Sequence, residues 1–205
     1  MGEHEVSAKQ ARKAVFLDRD GVLDALVLNK ATNEYEAPHS VGELKLLPMV
    51  IPGLKRLQAA GYELFLVSNQ PDYAKGKSTL AELKLVHSRF DRLMKDHGVH
   101  FRQYYYCFHH PQGVVPRYSY ECECRKPKPF FLIKAGEAYG LNLAASWMVG
   151  DTDKDVGCGK DAGVNTILVG YKLSVKQRVD SVPDYRAKNL NKAVDIIIKH
   201  SKTGG

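Results

Sequence analysis

AVFLDRDGVLD, running from Ala14 to Asp24, sets four apolar residues in front of three acids and a glycine. Ala14 to Leu17 has the length and character of a short buried strand. In an open α/β sheet such a strand delivers the next residue, Asp18, to the carboxyl edge, where these sheets bind ligands. Asp20 follows two residues later, and like charges held that close repel. The cost has a use where a cation or a proton transfer requires both acids. A calcium loop of the EF-hand type is excluded, because it needs Glu at its twelfth position: counting from Asp18 gives Asn29, and counting from Phe16 gives Val27.

Working outward, strands and helices alternate. Ala25 to Pro48 has few periodic apolar residues and reads as mostly irregular chain near the functional edge. Ile51 to Ala60 has helical spacing and stops at Gly61. YELFLVS, ending at Ser68, reads as a strand. Thr79 and Glu82 form a capping box that opens a long helix reaching His97, with Gly98 as its stop. QYYYC is a third strand, Pro129 opens a helix ending near Gly140, and WMVG is a fourth strand. A glycine-rich helix to Gly163, the strand TILVG and a closing helix from Leu190 to His200 complete the series. Alternation of this kind predicts a Rossmann-like parallel sheet with helices on both faces. The 205 residues suffice for one full core, so residues 1–205 are expected to form a single domain.

Hydrophobic content of 44% and interspersed charges are ordinary for a soluble globular chain, and no apolar run approaches a membrane span. The N-terminal MGEHEVSAKQARK has no apolar signal-peptide core, which makes the cytoplasm the default location. A formal charge of +7 suits nucleic acid or an anionic small molecule, but the lysines and arginines are scattered rather than blocked.

Three strand ends share one edge of such a sheet: Asp18, Ser68-Asn69, and Gly150-Asp151 with Asp153 and Asp155 beyond. CRKPKP, Cys124 to Pro129, adds Arg125, Lys126 and Lys128 just before a helix, and cations beside a helix N-terminus suit phosphate. The strings FLDRDGVLD, LFLVSNQ, CRKPKP and MVGDTDKD, in that order, resemble the four motifs of phosphatases of the haloacid dehalogenase superfamily, over a span from about Val15 to Val169. The resemblance implies Asp18 as nucleophile and Asp20 as general acid and base. It implies Ser68 and Asn69 as phosphate-binding residues, Lys126 as the neutralising cation, and a magnesium site of Asp18, the Asp20 carbonyl and Asp151. The residue types agree: a carboxylate can attack phosphorus, a second can shuttle the proton, and magnesium prefers oxygen ligands. Asp155 reads as a second acid near the metal, and Asp153 equally well as a surface residue.

Cys107, His109, Cys122 and Cys124 form C-x-H, a twelve-residue interval and C-x-C, the donor types of a closed tetrahedral zinc site. Free or redox-active cysteines are the competing reading, and His110 the competing ligand. Cys158 lies alone among small residues and reads as packing, as do Tyr104 to Tyr106 and Trp147. His87, His97 and His100 read as ordinary helix or surface residues. A C-x-H…C-x-C loop directly before RKP is similar to the D-glycero-D-manno-heptose 1,7-bisphosphate phosphatases and the related histidinol-phosphate phosphatases. In those families the zinc-bound loop, here residues 107–124, stands in for a large cap domain and sets the arginine, here Arg125, against the substrate. In the heptose enzymes the C7 phosphate is the one removed and the anomeric phosphate is kept.

NQPDYAKG, Asn69 to Gly76, departs from the NQSGIARG common in the heptose enzymes, the segment from Asp24 to Pro48 is longer, and Phe130 replaces a usual glycine. The expectation is therefore a magnesium-dependent phosphomonoesterase acting on a sugar bisphosphate, with structural zinc, as a monomer or small homo-oligomer. Histidinol-phosphate phosphatase and a zinc-bearing nucleic-acid-binding module are the alternatives.

Overall fold

The computed structural model describes residues 12–30, 33–177 and 181–203. Its centre is β1 (Lys13–Leu17), flanked by β4 (Tyr62–Asn69) and β6 (Trp147–Gly150). β5 (Phe101–Cys107) extends the sheet beyond β4, while β7 (Asn165–Val169) and β8 (Tyr185–Ala187) extend it beyond β6. All five pairings are parallel. Leu17 is in register with both Leu66 and Val149, so the residues that follow in all three strands emerge together at one edge. The chain fills one side of β1 and then crosses to the other, which places a crevice at that edge.

The unbroken apolar run of β1 follows from its position. Val15 and Leu17 pack into a core shared with α1 (Val50–Ala59), α2 (Leu80–Asp96) and α5 (Leu190–Thr203). Ala14 and Phe16 face the opposite core, built with α3 (Phe130–Tyr139) and α4 (Asp153–Asp161). A central parallel strand buried on both faces has no use for alternation. α2 opens on the expected capping box, with Thr79 Oγ1 accepting from the Glu82 amide and the Glu82 carboxylate accepting from the Thr79 amide.

Two elements differ from the sequence reading. The 25–48 segment, expected to be mostly irregular, contains a short antiparallel hairpin, β2 (Val27–Asn29) with β3 (Glu34–Glu36). β8 was not anticipated; with three residues and a charged centre it has no apolar run to announce it. No large cap domain is present among the described residues, and none of their helices is long and apolar enough to cross a membrane.

Candidate active site

The strand register brings the predicted residues together. Asp18 leaves β1 with its amide bonded to the Val149 carbonyl at 3.0 Å. Its Oδ1 accepts from the Arg19 amide at 2.7 Å and lies 3.0 Å from Lys126 Nζ. Lys126 is buried and its ammonium reaches three oxygens: Asp18 Oδ1, Val67 O at 2.7 Å and Asp155 Oδ1 at 2.6 Å. Burial alone pulls this lysine down, but Asp155 and Asp18 outweigh it and hold the ammonium charged. Asp155 is thus the buried clamp on Lys126. Its other oxygen accepts from the Thr152 amide and hydroxyl at 3.0 and 2.6 Å, which starts α4.

One oxygen each from Asp18, Asp151 and Asp155 lies within 4.8 Å of the others. Burial, with Asp155 and Asp20 adding repulsion against the pull of Lys126, pushes Asp18 up to about 7. Burial and the same crowding hold Asp151 well above the usual carboxylate range. Buried oxygens whose charge is this poorly compensated fit a hard divalent cation, which removes the cost and prefers such donors. Ser174, itself buried, donates its hydroxyl to Asp151 Oδ2 and orients it. Gly21 carries the turn past this carboxylate with φ +81°; a Cβ there would collide with Asp151 Oδ2.

Ser68 lies at the end of β4, donating to Asp20 Oδ2 at 3.3 Å. Asn69, expected to contact phosphate, also makes a paired contact with the backbone of Lys126. Its amide donates to Lys126 O and accepts from Lys126 N, both at 3.1 Å, so it fixes the lysine loop. Arg19 and Gln70, which the sequence reading passed over, are buried against Asp20. An arginine between two acids in a short motif was the signal, but sequence alone does not reveal that it turns inward.

Three cations, Lys75, Arg125 and Lys126, lie within electrostatic range of Lys154, and together they form a cationic rim. Burial, together with Arg125, Lys75 and Lys126 and opposed by Asp155, pulls Lys154 down. Burial and the cations Lys75, Arg125 and Lys154 pull His110 down, with Asp72 opposing. Lys75 and Lys154 were not predicted, whereas Lys128 pairs with Glu123 at 2.8 Å. The turn carrying Lys75 is gripped from two sides. Asp72 Oδ2 lies 2.9 Å from His39 Nε2, and Lys77 pairs with Glu36 of the hairpin. On the other side, Ala74 O accepts from Val114 N at 2.7 Å.

The four predicted zinc donors converge. Cys107 and Cys122 Sγ are 3.5 Å apart, Cys122 and Cys124 3.4 Å, and His109 Nδ1 lies 3.8 and 3.5 Å from Cys107 and Cys124. Tetrahedral zinc with ordinary bond lengths separates its ligands by about 3.6–3.8 Å. His109 Nε2 meets the Tyr120 hydroxyl at 2.9 Å, which fixes the ring for binding through Nδ1. His110 is not among the converging donors, and its Nδ1 accepts from Gln112 N. Arg125 Nη1 donates to His109 O at 3.0 Å, tying this loop to the cationic rim.

Cys158 is buried with Sγ against Lys128 O, and Trp147 and Tyr105 are core residues, as expected. His87 Nδ1 lies 3.0 Å from Tyr106 Oη.

Residues 123–193 match the family model described as HAD-hydrolase-like. The D-glycero-beta-D-manno-heptose-1,7-bisphosphate 7-phosphatase of Salmonella typhi is 32% identical over 190 residues, 92% of this chain and 97% of that protein. The D-glycero-alpha-D-manno-heptose-1,7-bisphosphate 7-phosphatase of Photorhabdus laumondii is 33% identical over 152 residues, 74% of this chain and 79% of that protein. Among solved structures, the D,D-heptose 1,7-bisphosphate phosphatase from B. bronchiseptica, complexed with magnesium and phosphate, superposes with a TM-score of 0.76. It is 26% identical, and the match covers 92% of this chain and 99% of that one.

Proposed function

Because the chain belongs to the haloacid-dehalogenase-like phosphatases, we propose that it removes one phosphate from a sugar bisphosphate, namely the C7 phosphate of D-glycero-D-manno-heptose 1,7-bisphosphate. The observation that carries this reading is the cationic rim of Lys75, Arg125 and Lys154 beside Lys126. A monophosphate is served by Ser68 and Lys126. A second phosphate gives the rim a partner, whereas the ammonium of histidinol phosphate would be repelled there. A nucleic-acid duplex is less well served, because the lysines and arginines are scattered along the chain and form no continuous basic block.

Asp18 Oδ2 attacks phosphorus while Lys126 and the Arg19 amide hold Oδ1. The P–O bond to the sugar breaks, and the departing alkoxide takes a proton from Asp20. Water then attacks the aspartyl phosphate and gives its proton to Asp20, which frees phosphate and restores Asp18. Asp18, Asp151 and the Asp20 carbonyl would hold magnesium, which would supply charge screening between carboxylate and phosphate. Zinc bound by Cys107, His109, Cys122 and Cys124 would organise the loop that carries Arg125.

The test is phosphate release with magnesium from the heptose bisphosphate, in both anomers, and from histidinol phosphate, with Asp18→Asn as blank. Preference for a heptose bisphosphate, leaving the 1-phosphate, supports the reading. Preference for histidinol phosphate overturns it.

A further inference from the structure

We propose that Arg19 and Gln70 are positioning residues that hold the Asp20 carboxyl group in place for its acid–base work, an inference that rests on the role given to Asp20 above.

Arg19 is 1% exposed, which is costly for a guanidinium and requires that its partners compensate. Nε and Nη2 donate to Asp20 Oδ1 at 3.1 and 2.8 Å, and Nη2 also donates to Gln70 Oε1 at 3.0 Å. Gln70, equally buried, turns its amide nitrogen to Asp20 Oδ2 at 2.5 Å and to Ser68 Oγ at 3.0 Å. The three side chains form a closed cycle, each bonded to the other two. Arg19 fixes which way the Gln70 amide faces, because its Oε1 must accept from a group that can only donate.

Arg19 is in turn anchored from outside the cycle. Its Nε lies 3.2 Å from Asp24 Oδ2, and its guanidinium sits 5.9 Å from the Tyr106 ring centroid. Both oxygens of Asp20 are therefore held, one by Arg19 and one by Gln70 and Ser68. A carboxyl group on a turn that ends in glycine would otherwise sample several rotamers. An acid that must reach a leaving oxygen within about 3 Å gains rate from being confined.

A guanidinium buried only to neutralise Asp24 would give the same packing, so the test reads the chemistry that Asp20 performs. An alkyl ester requires protonation of its leaving oxygen, whereas a p-nitrophenolate departs without it. kcat/KM is measured with saturating magnesium on D-glycero-D-manno-heptose 1,7-bisphosphate and on p-nitrophenyl phosphate for the parent, Gln70→Leu, Arg19→Lys, Asp20→Asn and the double variant Asp20→Asn/Gln70→Leu. Far-UV circular dichroism confirms that each is folded. The expected result is a loss of about 100-fold or more on the sugar ester in Gln70→Leu and Arg19→Lys, with less than about 10-fold on the aryl ester. The double variant should fall no further than Asp20→Asn, because a residue acting through Asp20 has nothing left to position. Equal losses on both esters, no loss on either, or additive losses in the double variant overturn the inference alone. A parent protein inactive on both esters overturns the reading of the site on which it rests. Gln70→Leu keeps the Arg19–Asp24 pair, so the inference remains testable even if Arg19→Lys does not fold.

Discussion

Lys126 Nζ and Asp155 Oδ1 are 2.6 Å apart, with both side chains at most 2% exposed. This pair, more than the contact with Asp18, holds the lysine charged where the phosphoryl group would arrive. Removing one member of a buried pair leaves the other uncompensated and typically costs about 3–5 kcal/mol. Asp155→Asn should lower stability by that order in urea denaturation and reduce turnover as Lys126 loses its anchor. A change below about 1 kcal/mol would show that Asp18 alone suffices to hold the lysine.

Asp18→Asn should abolish turnover and yet stabilise the metal-free protein at alkaline pH. The folded-state value of Asp18, about 7, lies above the ordinary 3.8. The metal-free fold therefore has its full stability below about pH 4 with respect to this group, and loses it as pH rises through about 7. Asparagine carries no such charge. The thermal midpoint of the variant should exceed that of the parent at pH 8, approach it at pH 5, and respond less to added magnesium. A parent and variant that melt alike at pH 8 without metal would contradict this account of the crowded acids.

Much of this site was legible because it sits at strand ends. Apolar runs before Asp18, Ser68 and Asp151 predict both the strands and their common edge, and a parallel register does the rest. The residues that were missed act through burial or through contacts distant in sequence. Arg19 reads as a spacer between two acids until its guanidinium turns inward, and Ser174 meets Asp151 across 23 positions. Lys75 and Lys154 are ordinary lysines in sequence and become a rim only when the fold brings their charges within electrostatic range of each other. β8 escapes notice because an edge strand of three residues needs no hydrophobic periodicity.

The sulfur and nitrogen spacing around Cys107, His109, Cys122 and Cys124 predicts about one zinc per chain by metal analysis. Cys122→Ser should lose that zinc. KM for the bisphosphate should rise more than kcat falls, since Arg125 is tied to the loop through His109 O and lies off the reacting atoms. Zinc-free parent protein, or a variant with unchanged KM, would separate the loop from substrate binding.

His39 links the hairpin to the turn that carries Lys75, and its contribution should depend on pH. The hydrogen bond to Asp72 raises its folded-state value above the ordinary 6.5, with burial opposing and the carboxylates of Asp72, Glu36 and Glu43 assisting. A raised value means that the charge-dependent stabilisation is fully present below about pH 6.5 and fades as pH climbs through the folded-state value. The difference in thermal midpoint between the parent and His39→Gln should be largest near pH 5.5 and shrink toward pH 8.5. Lys77 with Glu36 stays paired over that whole range and keeps the hairpin seated, so the effect should be a graded softening of the turn and not its release. A midpoint difference that stays constant across the range would mean that His39 contributes only through its neutral hydrogen bond.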